Sequence, residues 1–333
     1  MEIPARGGHV VLLGTSGGPI PVRGRCMAAS AVIVDGSAYL VDCGGGAVRR
    51  LTEAGISYRT LKALFITHLH ADHVTDYFAL VTAGKPFFEN QGFAQPFRVI
   101  GPGPADALPA KGANDRRPAR PDAPTSGTED LHRGVIDAYA YTMNIQYILT
   151  PLGLDFRDLV CVDDIVLPPS PASARGPLAP PMSPIEVYAD DNVRVSAILV
   201  EHPPVFPAFA FRFDTPYGSV VFSGDTVPTE NLTRLARGAD VVVHEAMCGA
   251  AMLNAGVPEH VVALLTGGHT DVTQVGEVAV EAETPHLVLS HLVPPDPSSF
   301  QEPVIDPRLW VAPIRSAYDG RVAVGRDLLR LPL

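Results

Sequence analysis

Residues 61–67 read LKALFIT and run without a spacer into HLHADH at 68–73. An unbroken apolar run of that length fits a strand buried on both faces, as in α/β sheets. A buried strand that ends on His68, His70, Asp72 and His73 places four candidate metal donors in one strand-to-helix turn. Imidazole and carboxylate suit zinc, manganese or iron. In such a turn His68 and His70 can face one ion while Asp72 and His73 face a second. The alternative is a histidine-rich surface turn; the buried strand before the motif and matching partners downstream count against it.

The same grammar recurs along the chain. VVLLG, AVIVDG and YLVDCGGG in the first fifty residues read as strands, and AVRRLTEAG as a helix stopped by Gly55. From Val193 the chain reads VRVSAILVEH, AFAFRFD, GSVVFSGD, ADVVVHEA, the helix TQVGEVAVEAE and HLVLSHL. The strand-like runs end on polar residues of catalytic type, among them His202, Asp225, His244 with Glu245, and His291. Polar residues at strand ends collect along one edge of a sheet, where α/β sites are built.

Between these halves lies a different kind of sequence. Residues 102–124 read as loop, 131–149 as helix, and 168–184 hold seven prolines in seventeen residues. Proline fixes φ and lacks the backbone donor, so the last stretch is neither regular helix nor inner strand. We read 1–333 as a single domain and 102–184 as an insertion or lid within it. The chain has 33 prolines, roughly twice the usual share of about 5%.

Charge and cysteine narrow the setting. The net charge is −11, against a general nucleic-acid binder, which is usually basic. The one basic run is Lys111, Arg116, Arg117 and Arg120, read as a solvated loop, with an RNA-contacting arm as the alternative. Phe87, Phe88, Phe93, Phe97, Tyr139 and Tyr141 read as core, with a few available to line an apolar pocket. No segment approaches the roughly 18 apolar residues of a membrane span, and the N-terminus does not read as a signal peptide. Cys26, Cys43, Cys161 and Cys248 form no CxxC pair, which suits a reducing cytoplasm.

THLHADH at 67–73 resembles the signature of the metallo-β-lactamase superfamily of binuclear metallohydrolases. The resemblance extends through VDCGGG with Asp42, EHPP with His202, SGDT with Asp225 and SHL with His291. LLGTSGGPIP at 12–21, HEA at 244–246 and HTD at 269–271 make it most similar to the branch with ribonuclease Z and arylsulfatase-like or dehalogenase-like hydrolases. The resemblance implies a four-layer αβ/βα sandwich of two mixed sheets flanked by helices. It implies two divalent metal ions, zinc first, with manganese or iron as alternatives. His68, His70 and His202 would hold one ion, Asp72, His73 and His291 the other, and Asp225 both; Asp42 would orient histidines from behind. Two ions about 3.5–4 Å apart lower the pKa of a shared water, so a bridging hydroxide is the expected nucleophile. Asp72, His269 and His244 are the candidate catalytic residues. His269 is expected to meet a developing anion or protonate the leaving group, and His244 to border the site or only orient the metal loop. A dimer is implied by analogy.

Three functions follow. The first is a cytoplasmic hydrolase of a small-molecule substrate: ester-like, sulfate, phosphate, lactone or haloaromatic. The second is a ribonuclease Z-like tRNA 3′-processing endonuclease. The 23 residues from His202 to Asp225 leave no room for the substrate-clamping arm that the resemblance would place there, and the acidic charge also ranks nucleic acid lower. The third is a metal-binding scaffold without catalysis, disfavoured by the complete ligand set.

Overall fold

The structure is a computed structural model that describes residues 6–86, 91–110, 117–149, 156–293, 301 and 305–333. Two sheets of seven strands face each other. The first is built from β1 (Gly8–Gly14), β2 (Ala29–Val34), β3 (Ser37–Val41), β4 (Leu61–Phe65), β5 (Phe97–Pro102) and β6 (Val160–Ile165). The second contains β7 (Ile185–Ala189), β8 (Arg194–Leu199), β9 (Phe209–Thr215), β10 (Gly218–Phe222), β11 (Val241–Ala246), β12 (His286–Leu292) and β13 (Arg321–Val324). The last strand, β14 (Arg330–Pro332), returns to pair antiparallel with β1 in the first sheet. Strand orders are 14-1-2-3-4-5-6 and 13-12-11-10-9-8-7, each mixing parallel and antiparallel neighbours. With helices outside both sheets this is the expected four-layer sandwich.

The burial of β4 shows why the layers form. Leu61 and Leu64 pack into the core between the first sheet and its helices, whereas Ala63 and Phe65 point into the core between the sheets. All four are 0% exposed; from Ala63 to Phe65 the alternation serves two apolar layers instead of one, and a register shift between Leu61 and Ala63 puts Leu61 on the helix-covered side. Phe65 meets Phe213 edge to face at 5.2 Å between ring centroids, and Phe211 and Tyr188 lie within 5.7 Å. Burying one such ring stabilises the fold by about 1.5–3 kcal/mol.

The helix Ala47–Ala54 ends at Gly55, whose left-handed φ of 74° closes it. The helix expected over 131–149 is two, Thr128–Ala138 and Ala140–Leu149, parted at Tyr139.

The proline-rich stretch 168–184 contains no helix or strand. The segment 102–184 nonetheless supplies β6, an edge strand parallel to β5. Its sequence VCVDDI alternates with acids and exposed positions, so it lacks the apolar run that marked inner strands. Of the basic run, Lys111 and Arg116 lie outside the described residues, as do Phe87 and Phe88. No helix among the described residues is long and apolar enough to cross a membrane.

Candidate metal centre

The parallel strands β3, β4, β10, β11 and β12 send their C-terminal ends to one rim of the sandwich. There the residues at or just past these ends converge, joined by His202 from the loop after β8. Donor atoms of His68, His70, His202 and Asp225 lie within 4.8 Å of one another, and so do those of Asp72, His73 and His291. Asp225 stands between the groups: its Oδ2 is 3.3 Å from His291 Nε2, 3.5 Å from His73 Nε2, 3.8 Å from His68 Nε2 and 3.9 Å from His202 Nε2. All seven residues singled out as ligands are therefore brought together. Six of the seven are buried; His70 alone is exposed.

The turn after β4 is held by Asp42. Its Oδ1 accepts from the Thr67 backbone N–H at 2.8 Å, and its Oδ2 accepts from His73 Nδ1 at 2.8 Å. The Thr67 hydroxyl donates to the same carboxylate and lies 3.1 Å from His68 Nδ1. Because a carboxylate only accepts, His73 carries its proton on Nδ1 and turns Nε2 inward. His202 is set the same way, its Nδ1 donating to Gly268 O at 2.6 Å. Asp42 and His291 adopt left-handed φ values of 59° and 46°. Such residues cost on the order of 1–3 kcal/mol each and collect at functional sites.

Two glycines make the approach possible. A Cβ on Gly17 would lie 2.7 Å from the His291 ring, so the GTSGG turn can border the centre only without a side chain. A Cβ on Gly44 would meet the Asp72 carbonyl at 2.0 Å.

The donor set fits a pair of divalent cations. His68 Nε2, His73 Nε2 and Asp225 Oδ1 are buried and have no hydrogen-bond partner among the described residues. Unpaired buried polar atoms are costly and call for a partner. Burial and the neighbouring His73 push His68 well below the usual histidine range, which keeps it neutral for ligation. Burial opposes ionisation of Asp225, yet the imidazoles of His291 and His73 hold it well below the usual carboxylate range.

The catalytic candidates separate. Asp72 Oδ2 lies 3.2 Å from His291 Nε2 inside the cluster. His269 lies at its edge, with Nδ1 3.2 Å from Glu245 Oε1 and 3.9 Å from Asp225 Oδ2. Burial lowers the pKa of His269, but the Glu245 carboxylate overcomes this and pushes it up to about 9. His244 is not part of this group. On β11 it alternates with Glu245: Val241 and Val243 face the core between the sheets, Val242 and Ala246 the helix-covered side. His244 shares the latter face, is 0% exposed, and bonds through Nδ1 to the Glu245 carbonyl at 2.6 Å.

Glu245 was named in the sequence only as the neighbour of His244 and given no role of its own. Besides His269, its Oε1 accepts from the backbone N–H of Thr226 at 3.1 Å and Thr270 at 3.0 Å. It thus ties the loop of Asp225 to the loop of His269. The signal was present: with a period of two, only one of two adjacent strand residues faces the site. Thr67, which links Asp42 to His68, was likewise visible only as part of the motif.

Known proteins resemble the chain at several levels. A sequence profile described as "Anti-Pycsar protein Apyc1" matches residues 14–83. Ribonuclease Z of Mycobacterium avium (strain 104) is 30% identical over 329 residues, covering 97% of this chain and 97% of that protein. The metallo-β-lactamase fold protein YhfI from Bacillus subtilis superposes with a TM-score of 0.61 at 15% identity, over 97% of this chain and 99% of that one. Human tRNase Z, short form, gives 0.60 at 20% identity, over 97% and 98%.

Proposed function

Since the chain belongs to the metallo-β-lactamase superfamily, in the family of the ribonuclease Z sequences, and is a metal-dependent hydrolase, we propose that its substrate is a small phosphodiester. The observation that carries this is the His269–Glu245 pair at the edge of the ligand cluster, 3.2 Å apart. A cleaved diester releases an alkoxide, a poor leaving group that needs a proton, and an imidazolium beside the centre can supply one. The ribonuclease Z relatives, 27–30% identical, carry a name that denotes cleavage of the phosphodiester bonds of RNA.

His68, His70 and His202 would hold one divalent cation and Asp72, His73 and His291 the other, with Asp225 shared. Zinc is placed first on this imidazole and carboxylate donor set, ahead of manganese and iron. When bound, such a pair supplies Lewis acidity toward a phosphoryl oxygen and acidifies water. The chain does the rest. Asp42 and Thr67 orient the imidazoles of His73 and His68. Glu245 fixes His269 through Nδ1 and keeps it protonated, so that Nε2 faces the leaving oxygen. The Thr226 and Thr270 amides hold Glu245 in place.

A second reading, cleavage of precursor tRNA, is favoured by the full-length likeness to ribonuclease Z. The expectation against nucleic acid rests on the net charge and on the connection from His202 to Asp225. That connection is a short loop followed by the β9–β10 hairpin, with no inserted arm. The four cysteines are all unpaired, which supports a reducing, cytoplasmic setting. Tyr141, expected in the core but exposed in the structure, and Ile148 and Leu149, all on the helix Ala140–Leu149, support a homodimer contact on the segment 102–184.

The test is hydrolysis of bis(4-nitrophenyl) phosphate and of a precursor tRNA by protein reconstituted with zinc, manganese or iron. Diester hydrolysis without tRNA cleavage is expected. Cleavage of the tRNA, lost at raised salt, would establish the second reading, and hydrolysis of neither would remove both.

A further inference from the structure

Resting on the phosphodiester reading, we infer that the substrate carries a neutral aromatic or similarly flat apolar group, and that this group seats in a proline-walled groove beside His70. Among the described residues, a void beneath the ligand cluster and a groove beside it both touch the cluster. The one beneath it, lined by Asp42, Thr67, Ser223 and Ser290, is only ≈ 40 Å³ and admits little more than water. The other is a cavity of ≈ 410 Å³ that opens at His70, within the usual size of small-molecule sites. His70 is also the one exposed ligand of the seven. Substrate therefore reaches the centre from this side.

The chemistry of the walls selects what fits. Apart from His70, the described residues lining the groove include no Lys, Arg, Asp or Glu; Thr125 and Ser126 are the only other polar side chains. Five lining residues are prolines, Pro102, Pro109, Pro124, Pro204 and Pro207, which offer apolar ring faces and no backbone donor. Phe206 adds an aromatic face and Leu108 a flexible apolar edge.

The wall is also pinned. The Ala174 N–H donates to Asp106 Oδ1 at 2.9 Å, and Arg175 Nε donates to the Leu108 carbonyl at 3.0 Å. These bonds fasten the proline-rich stretch 168–184 onto the loop after β5. A preformed apolar wall loses little freedom on binding, which favours ring-shaped groups.

The experiment is isothermal titration of zinc-loaded protein with two non-hydrolysable probes, phenylphosphonate and methylphosphonate, which share the phosphoryl group and differ in the ring. Phenylphosphonate is expected to bind at least about tenfold more tightly, the least that an added apolar group contributes in a hydrophobic pocket. In Phe206→Ala and Leu108→Asp that ratio is expected to fall toward one. Leu108 is exposed, so its variant tests the groove without disturbing the core. Equal binding of the two probes overturns the groove assignment and leaves the phosphodiester reading standing. Binding of neither overturns the phosphodiester reading, and the groove assignment falls with it.

Discussion

His73 Nδ1 lies 2.8 Å from Asp42 Oδ2, and the residue that makes this contact holds a left-handed backbone at the end of β3. The pair ties a ligand-bearing turn to the neighbouring strand and decides which nitrogen of His73 is turned inward. Asp42→Asn keeps the size and can donate where the carboxylate accepted, so the tautomer is no longer enforced. Loss of such an orienting partner weakens metal affinity by about 10–100-fold. Competition with a chromogenic chelator measures it; an unchanged affinity would sink the role given to Asp42.

Glu245→Gln retains an oxygen for the Thr226 and Thr270 amides but removes the charge beside His269. The rate on alkyl phosphodiesters is expected to fall by about 10²–10⁴-fold, the usual contribution of general acid catalysis. Diesters with a 4-nitrophenyl leaving group need little proton assistance and should lose far less. His269→Ala is expected to show the same leaving-group dependence, and the double variant to be no worse than either single one. A uniform loss across leaving groups counts against proton donation.

His244→Ala should behave differently. The ring is fully buried on the far face of β11, so its removal is expected to lower stability by about 1–3 kcal/mol. Metal content and leaving-group dependence should match the wild type. A selective loss on alkyl diesters would return His244 to the reaction.

Chelation should destabilise the fold. A ligand that binds only the native state stabilises it by mass action, about 2.7 kcal/mol at a free concentration one hundred times its Kd. Dialysis against a strong chelator is expected to lower Tm, and added zinc to restore it. An identical Tm in the two states would argue against any resident ion.

His132 gives a pH signature away from the centre. It is partly buried beside Tyr77, 2.8 Å from the hydroxyl, and burial lowers its pKa. A histidine depressed in the folded state is protonated more readily when unfolded, so its contribution is intact above about pH 6.5 and is lost as pH falls below it. His132→Gln is expected to flatten the fall of Tm between pH 7 and 5; parallel profiles would contradict this.

Much of the centre was legible because its residues sit at the ends of apolar runs. LKALFIT before His68, VVFSG before Asp225 and LVLS before His291 each announce a buried strand and its exit. Less legible was anything set by the direction of a side chain. His244 and Glu245 are adjacent in sequence; the period of two turns them to opposite faces, and the packing of Val241 and Val243 between the sheets shows that Glu245 is the one that meets His269. The strand β6 escaped notice because an edge position tolerates the acids of VCVDDI. The groove beside His70 is assembled from several separated segments, each merely proline-rich or small in isolation.

The seven ligand-type residues divide four and three between the sheets: His68, His70, Asp72 and His73 follow β4, whereas His202, Asp225 and His291 come from the second sheet. Contacts across the divide join positions 132 and 219 residues apart, His202 with His70 and His291 with Asp72. Neither half of the chain carries a complete set for two ions. Ions held there would act as a clasp between the halves, so metal retention reports on whether both sheets are docked.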